Sequence, residues 1–299
     1  MKTVKELEKE YCIDIQVCSK NRVGELCLLL QSLRTQSFTN FNVLILDDGS
    51  TTPNTSHDMF NKVIHRVKQE KHKLFMFRND MSVGVCKARN RLIEESNKEN
   101  TGANLFCRLD DDVICESDYL ERLVRVIDMG YDMSSGITPP AANPEFLRRA
   151  EFVKPIINRL HFEQDGNVTV VGDDCGHSYY DDTVIPAHHL RSCFMYKKEV
   201  TDSGIRHELG LNWFREETFF SARAILNGFT MAVDTMAKVI HLITPSGGCR
   251  SVYPLANLDE ENFQSWMKRK FEKHGDFLDE YEKKVLVKHK KIMENQQWK

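Results

Sequence analysis

The chain has 299 residues, enough for one or two domains and a sizeable core. Lys and Arg number 41 against 44 Asp and Glu, a net charge of −3, which excludes a dominant basic footprint and with it nucleic acid as the main partner. A composition that is 41% hydrophobic and 28% charged excludes a disordered chain. Nine cysteines form no CxxC pair, the opening MKTVKELEKEYC lacks an apolar leader core, and no apolar stretch nears the roughly 18 residues of a membrane span. These features predict reduced thiols in a soluble, cytoplasmic protein without a transmembrane segment.

The run from Ile13 to Val17 reads as a strand. Leu26, Leu29, Leu30 and Leu33 then repeat at i, i+3, i+4 and i+7, the signature of one helix face. Asn42 to Leu46 and Leu74 to Phe77 read as further strands, Val85, Ala88 and Leu92 as a helix, and Asn104 to Leu109 as a fourth strand. Leu120, Leu123, Val124 and Ile127 give another helical stripe, with Ser117 as its expected N-cap. Strand–helix alternation of this kind predicts an α/β fold with a mostly parallel sheet flanked by helices. From Thr138 the pattern breaks into a Pro-punctuated loop and the polar run GDDCGHSYYDD, Gly172 to Asp182. Regularity returns with a strand in His189 to Lys197, a helix from about Glu217 closed by Gly228, and a strand from Met231 to Leu242. The tail beyond Leu258 is helical in composition, with Phe263, Trp266 and Phe271 as packing anchors. The expected organisation is one domain over residues 1–250, split into halves at 138/139, followed by a helical extension over residues 251–299.

In open α/β sheets ligands collect at the carboxyl ends of strands, so polar residues just after strands are the candidates. The second strand ends in Asp47, Asp48, Gly49 and Ser50, which serve equally as a tight turn or as a ligand-binding edge. The fourth ends in Arg108, Leu109, Asp110, Asp111 and Asp112; three adjacent carboxylates raise one another's pKa, and a cation relieves this. In extended backbone i and i+2 face the same way, so Asp110 and Asp112 can share one oxygen-ligated ion, Mg²⁺ or Mn²⁺. Glu216 and Glu217 open a helix, where they either complement its dipole or supply a general base. His241 closes a late apolar run as a structural residue or as a ligand favouring Mn²⁺. A zinc set of Cys175, His177, His188 and His189 matches no standard spacing, and neither a GxGxxG nor a GxxxxGK[ST] loop occurs.

Taken in order, these features resemble a family 2 glycosyltransferase with the GT-A fold, over roughly Ile13 to Gly248. CSKNR (Cys18 to Arg22) resembles the polar segment after the first strand, LDDGS the second-strand motif, and LDDDV the DxD motif. Gly84, Ala88, Arg89 and Asn90 match the family's G-x-x-x-A-R-N stretch, and REET with Arg223 resembles its E-D-x-x-x-x-x-R pattern. Two departures are Glu217 where the family carries Asp, and a third acid, Asp111, where it carries a small residue.

The resemblance implies sugar transfer from a nucleotide sugar, a UDP-sugar favoured, to a hydroxyl on a glycan, lipid or protein acceptor, with inversion. It implies Asp112 as the main ligand of Mn²⁺ (or Mg²⁺), Asp110 toward ribose and metal, and His241 as a further ligand. Ser19, Asn21, Arg22, Lys87, Arg89, Asp110 and Asp111 would line the nucleotide-sugar site, and Asp47 or Asp48 would read the base. Glu217, with Glu216 as the alternative, would be the general base. Pro139 to His188 would form part of the acceptor wall and could include a mobile lid, and the tail would cover the sheet edge, pair copies of the chain or rest on a membrane. Two rivals are a sugar-1-phosphate nucleotidyltransferase and an inactive nucleotide-sugar-binding protein.

Overall fold

The computed structural model describes residues 1–70, 72–141, 148–149, 154–171, 178–179 and 183–295. Helix α1 (Val4–Glu10) opens on a capping box that the apolar pattern does not announce, with Glu6 N–H donating to Thr3 Oγ and Thr3 N–H donating to the Glu6 carboxylate. Strand–helix units follow: β1 (Ile13–Ser19), α2 (Val23–Leu33), β2 (Phe41–Asp48), α3 (Asp58–Gln69), β3 (Leu74–Asn79), α4 (Val85–Lys98) and β4 (Leu105–Asp110). The leucine stripe of α2 is buried, as its spacing requires. The chain continues through β5 (Val113–Cys115), α5 (Tyr119–Asp128), β6 (Met133–Ile137), β7 (Arg148–Arg149), β8 (Arg159–Phe162), β9 (Val168–Val171), β10 (Ser178–Tyr179), β11 (Val184–Pro186) and β12 (Phe194–Lys197). It ends with α6 (Lys198–Asp202), α7 (Glu216–Leu226), β13 (Met231–His241), α8 (Ala256–His274) and α9 (Phe277–Asn295).

The main sheet has the order β11-β13-β6-β12-β4-β1-β2-β3, with β5 on the far end of β13. Pairing is parallel through β4-β1-β2-β3 and between β6 and β13. Strand β12 lies antiparallel between β4 and β6, and β11 antiparallel against β13, so the sheet is mixed. The chain leaves β1 toward β2 and returns from β3 to β4 on its other side, which makes the carboxyl end of β1 a switch point.

Two element boundaries differ from the sequence reading. Helix α5 begins after Asp118, not Ser117, and Asp118 spends its carboxylate on Arg122 Nε at 2.6 Å instead of capping. The strand expected from His189 begins only at Phe194, because His188 and His189 are held by the start of β8 through Leu160 N–H to His188 Nδ1 and Asn158 Nδ2 to the His189 carbonyl. Phe263, Met267, Phe277, Leu278, Tyr281 and Val285 of α8 and α9 are buried in the same core as Phe106, Met133 and Phe219. No helix among the described residues is long and apolar enough to cross a membrane.

Candidate active site

The register aligns the strand ends. Ser19 pairs with Asp47, Cys18 with Asp110, and Asp48 with Asn79. Pairing of β5 with β13 sets Val113 beside His241, which carries the imidazole to Asp112. Over this row opens a cavity of about 620 Å³, lined by Ser19, Arg22, Asp48, Lys87, Arg89, Asp110, Asp111, Asp112, Glu216, Glu217 and His241.

Two sequence candidates stand outside the lining. Asp47 holds its own loop, accepting from Ser50 N–H at 2.8 Å, Asn54 N–H at 3.1 Å and the Arg78 guanidinium. Asn21, at φ +54°, ties the β1 loop to the β2 loop by donating its N–H to Ser50 Oγ and accepting from Thr51 N–H, each at 2.8 Å. Asp48 does face the cavity, yet its two oxygens accept from Asn79, Ser82, Val83 N–H and Gly84 N–H. That fills the roughly four acceptor positions of a carboxylate and fixes the turn into α4. Gly49 permits the approach: at φ +71° its absent Cβ would lie 2.4 Å from Ser82 N.

The charged residues fall into two clusters. In the first, Arg22 Nη1 lies 3.0 Å from both Asp111 Oδ1 and Asp112 Oδ2. It is thus an internal cation for the acidic run, and only about 5% of its side chain is exposed. Its Nε donates to the Ser246 carbonyl, and Gly247 packs so closely that a Cβ would lie 2.6 Å from Arg22 Cγ. Asp112 Oδ1 is 3.4 Å from His241 Nε2. Burial works to raise Asp112, but the His241 contact and the Arg22 charge hold it below the usual carboxylate range. Burial and the Asp112 charge outweigh Arg22 at Asp111 and push it up to about 7.

In the second cluster Arg108, which sequence reading left as part of a strand, grips Glu216 with Nη1 and Nη2 at 2.9 and 2.7 Å. His207 Nδ1 lies 2.8 Å from Glu216 and Arg89 Nε 3.7 Å. Burial would raise Glu216; Arg108, His207 and Arg89 together hold it well below its ordinary value. Arg89 Nη2 also bonds Asp110 at 2.5 Å, while its buried Nε, facing Glu216, and its buried Nη1 make no hydrogen bond among the described residues. Glu217, one residue on, forms no ion pair among the described residues and has Ser192 Oγ at 3.5 Å. Burial and the neighbouring Glu216 charge raise it to about 7. The two adjacent glutamates therefore differ in kind: Glu216 is held as an anion by its cations, whereas Glu217 is held closer to its neutral form.

Neither Arg108 nor His207 carries a sequence signal, since their pairing with Glu216 spans 108 residues in one case and a loop in the other. Arg223 lies away from the cavity lining, where it bonds the Arg206 carbonyl and Glu208, so the motif arginine braces the loop that presents His207. Of the zinc set, Cys175 and His177 lie outside the described residues; His188 is bonded to Leu160 and 3.1 Å from Glu282, and burial drops His189 to about 3. Of the Pro139–His188 stretch, residues 142–147, 150–153, 172–177 and 180–182 lie outside the described residues. The eight described cysteines are all unbridged.

A divalent ion fits the first cluster. Two ligands at about 2.1 Å on adjacent octahedral positions stand about 3 Å apart, close to the 3.4 Å between Asp112 Oδ1 and His241 Nε2. Arg22 occupies the other Asp112 oxygen and leaves Oδ1 to an ion. No group of three or more His, Cys, Asp or Glu side chains forms a complete cage among the described residues, so a diphosphate would supply the remaining oxygens.

An α/β sheet carrying this acidic row at its switch point is the fold of the GT-A glycosyltransferases. The chain belongs to Glycosyl transferase family 2, whose model matches residues 14–184. No curated protein sequence matches it. Among solved structures it is similar to S. aureus TarS 1–349 in complex with UDP-GlcNAc (TM-score 0.58, 16% identity, covering 86% of this chain and 66% of that one). It is similar also to GalNAc-T7 with UDP, GalNAc and Mn²⁺ (0.61, 12%, 89% and 58%). A third is the mannosyltransferase PcManGT from Pyrobaculum calidifontis with GDP-Man and Mn²⁺ (0.54, 12%, 85% and 64%). The chain covers 37% of the full TarS structure.

Proposed function

We propose that the protein moves a sugar from a nucleotide sugar, a UDP-sugar favoured, to an acceptor hydroxyl, with Glu217 as the general base and inversion at the anomeric carbon. The observation that carries this reading is the division of labour between Glu216 and Glu217 inside the cavity that also holds the acidic row. Family membership supports the reaction class and sets the nucleotidyltransferase reading aside. The UDP, UDP-GlcNAc and GDP-Man bound by the structural neighbours support the donor class.

In this reading the diphosphate lies between the Asp112–His241 pair, which would hold Mn²⁺ or Mg²⁺, and the charge of Arg89, which lines the same cavity. The ion supplies Lewis-acid stabilisation of the charge that develops on the leaving diphosphate. Arg89 and the exposed Lys87 add fixed positive charge on the same side. Arg22 holds Asp111 and Asp112 in place, and Asp110, bonded to Arg89, is left one oxygen for ribose or ion. Asp48 frames the nucleobase through the turn it fixes. Glu217 accepts the proton of the attacking hydroxyl, and attack opposite the departing diphosphate inverts the configuration.

UDP with Mn²⁺ is expected to raise the melting temperature; at about 100 Kd the linkage amounts to about 2.7 kcal/mol. Asp112→Ala should lose that gain, and equal protection of the variant would reject the metal-holding role. Release of UDP from UDP-GlcNAc or another UDP-sugar is the accompanying measurement. Binding without any release identifies an inactive nucleotide-sugar-binding protein.

A further inference from the structure

Beyond the charged residues the same cavity has an apolar wall. Leu209, Leu211, Trp213, Val252 and Tyr253 line it, from the loop before α7 and the 3₁₀ turn at Arg250–Leu255. Trp213 and Tyr253 stack with centroids 4.2 Å apart and planes 27° from parallel, and the Arg250 guanidinium sits 4.6 Å from the Tyr253 centroid. Leu209 is 60% exposed and Tyr253 36%, so large apolar side chains of this wall meet solvent, and Trp213 stands four residues before the proposed base. Scattered surface leucines need no explanation, whereas an apolar group continuous with a charged cavity marks a binding surface.

The wall is built in advance. Asp259 of α8, with no exposed surface, accepts four hydrogen bonds at 2.8–2.9 Å, from Asn212 N–H, Asn212 Nδ2, Trp213 N–H and Phe214 N–H. Next to it Glu260 takes Arg215 Nε at 2.6 Å, which secures a residue held at φ +61° immediately before Glu216. One helix thus sets the aromatic ledge and the start of the helix bearing Glu217 in a fixed relation. A surface ordered beforehand loses little entropy when a ligand arrives. Polar groups edge it: Ser192 and Ser251 line the cavity.

We propose that the Trp213–Tyr253 ledge is an acceptor subsite for a saccharide, a proposal that rests on the glycosyltransfer reading and narrows its acceptor class. A pyranose ring offers an apolar face of C–H groups and a rim of hydroxyls. The face matches the aromatic surface that the Trp213–Tyr253 pair turns to the cavity, and the rim matches the hydroxyls of Ser192 and Ser251. Laid on the ledge, the ring brings one hydroxyl to the carboxylate of Glu217, beside which Ser192 already lies. A lipid phosphate would want an uninterrupted apolar groove with unpaired cations at its end; here Arg215 and Arg250 are engaged by Glu260 and by the Thr244 carbonyl.

Saturation-transfer NMR on the full chain, with UDP and Mn²⁺ present to occupy the donor side, tests this directly. The probes are the methyl β-glycosides of glucose, galactose and N-acetylglucosamine, with dodecyl phosphate as the lipid-type comparison. At least one glycoside should receive saturation at its ring C–H protons, Trp213→Phe should keep the signal, and Trp213→Ala should weaken binding roughly tenfold. Tyr253→Ala, at a half-exposed position, should do the same and serves if Trp213→Ala does not fold. No signal from any glycoside, a signal unchanged in both alanine variants, or a signal from dodecyl phosphate alone overturns the proposal. The UDP-induced melting shift and UDP release report the donor side separately. Their survival with a failed glycoside test removes only the saccharide acceptor, whereas their loss removes the transferase reading itself.

Discussion

Glu216 and Glu217 are adjacent, chemically identical and differently employed. Removing the Glu216 charge leaves Arg108 and Arg89 buried with less compensation, and breaking such a pair costs about 3–5 kcal/mol. Glu216→Gln should therefore lower the melting temperature markedly. Glu217→Gln should leave it unchanged or higher and reduce kcat by about a hundredfold or more, as expected for loss of a general base. A Glu217→Gln enzyme with wild-type turnover would move the base elsewhere. The pH dependence follows from the same group. Its pKa is raised from the ordinary 4.5 to about 7, so the base is competent only once deprotonated and turnover should climb with pH through about 7 and then level. Stability runs the other way: the contribution of this carboxyl is full below about 4.5 and is lost as pH rises through about 7. Comparing thermal melts of the wild type and Glu217→Gln from pH 5 to 8 should show the variant gaining relative to the parent toward the alkaline end.

At the scale of elements, α8 is the strut of the wall that carries Trp213, and Asp259 is its point of contact with the loop before α7. Asp259→Asn replaces one accepting oxygen by a donor facing N–H groups, and each unpaired buried donor costs about 1–3 kcal/mol. Turnover with an acceptor should show a raised acceptor KM, while the donor KM and the UDP-induced melting shift stay near wild type. A raised donor KM with an unchanged acceptor KM would place Asp259 outside the acceptor wall. Much of the row of strand ends is legible in the sequence, because a strand followed by acidic or small polar residues is a local pattern and the sheet itself brings the ends of β1, β2 and β4 together. Neither the distinction between Asp47 and Asp48 nor that between the two glutamates is legible. In each pair the decision is made by partners from distant segments: Arg78 and Ser82 for the aspartates, Arg108 and His207 for the glutamates. Asp259 is silent for the same reason, since an acid in the first turn of a helix reads as a dipole partner until its four donors are seen. The compensating cation of the acidic run is likewise an arginine from the β1 loop, and nothing in the LDDDV segment announces Arg22.

For the molecule as a whole, the C-terminal helices decide how the fold behaves under stress. Phe263 has no exposed surface and lies 6.3 Å from the Phe219 ring of α7, Trp266 packs on Phe219 at 4.2 Å, and Tyr281 donates to the Ala187 carbonyl at 2.8 Å. Their apolar side chains belong to the core that also takes residues from β4, β6 and β12, so α8 and α9 have no separate hydrophobic centre of their own. Elements that share one core unfold together. Thermal denaturation of the full chain should therefore give a single transition, with far-UV circular dichroism and Trp fluorescence coinciding. Phe263→Ala, which empties a buried aromatic site, should destabilise the whole protein by about 3–5 kcal/mol without splitting that transition. A separate low-temperature step that removes helical signal while UDP and Mn²⁺ still protect the remainder would show that the last two helices are a dispensable layer. In that case the acceptor wall, which depends on α8, would melt ahead of the donor site.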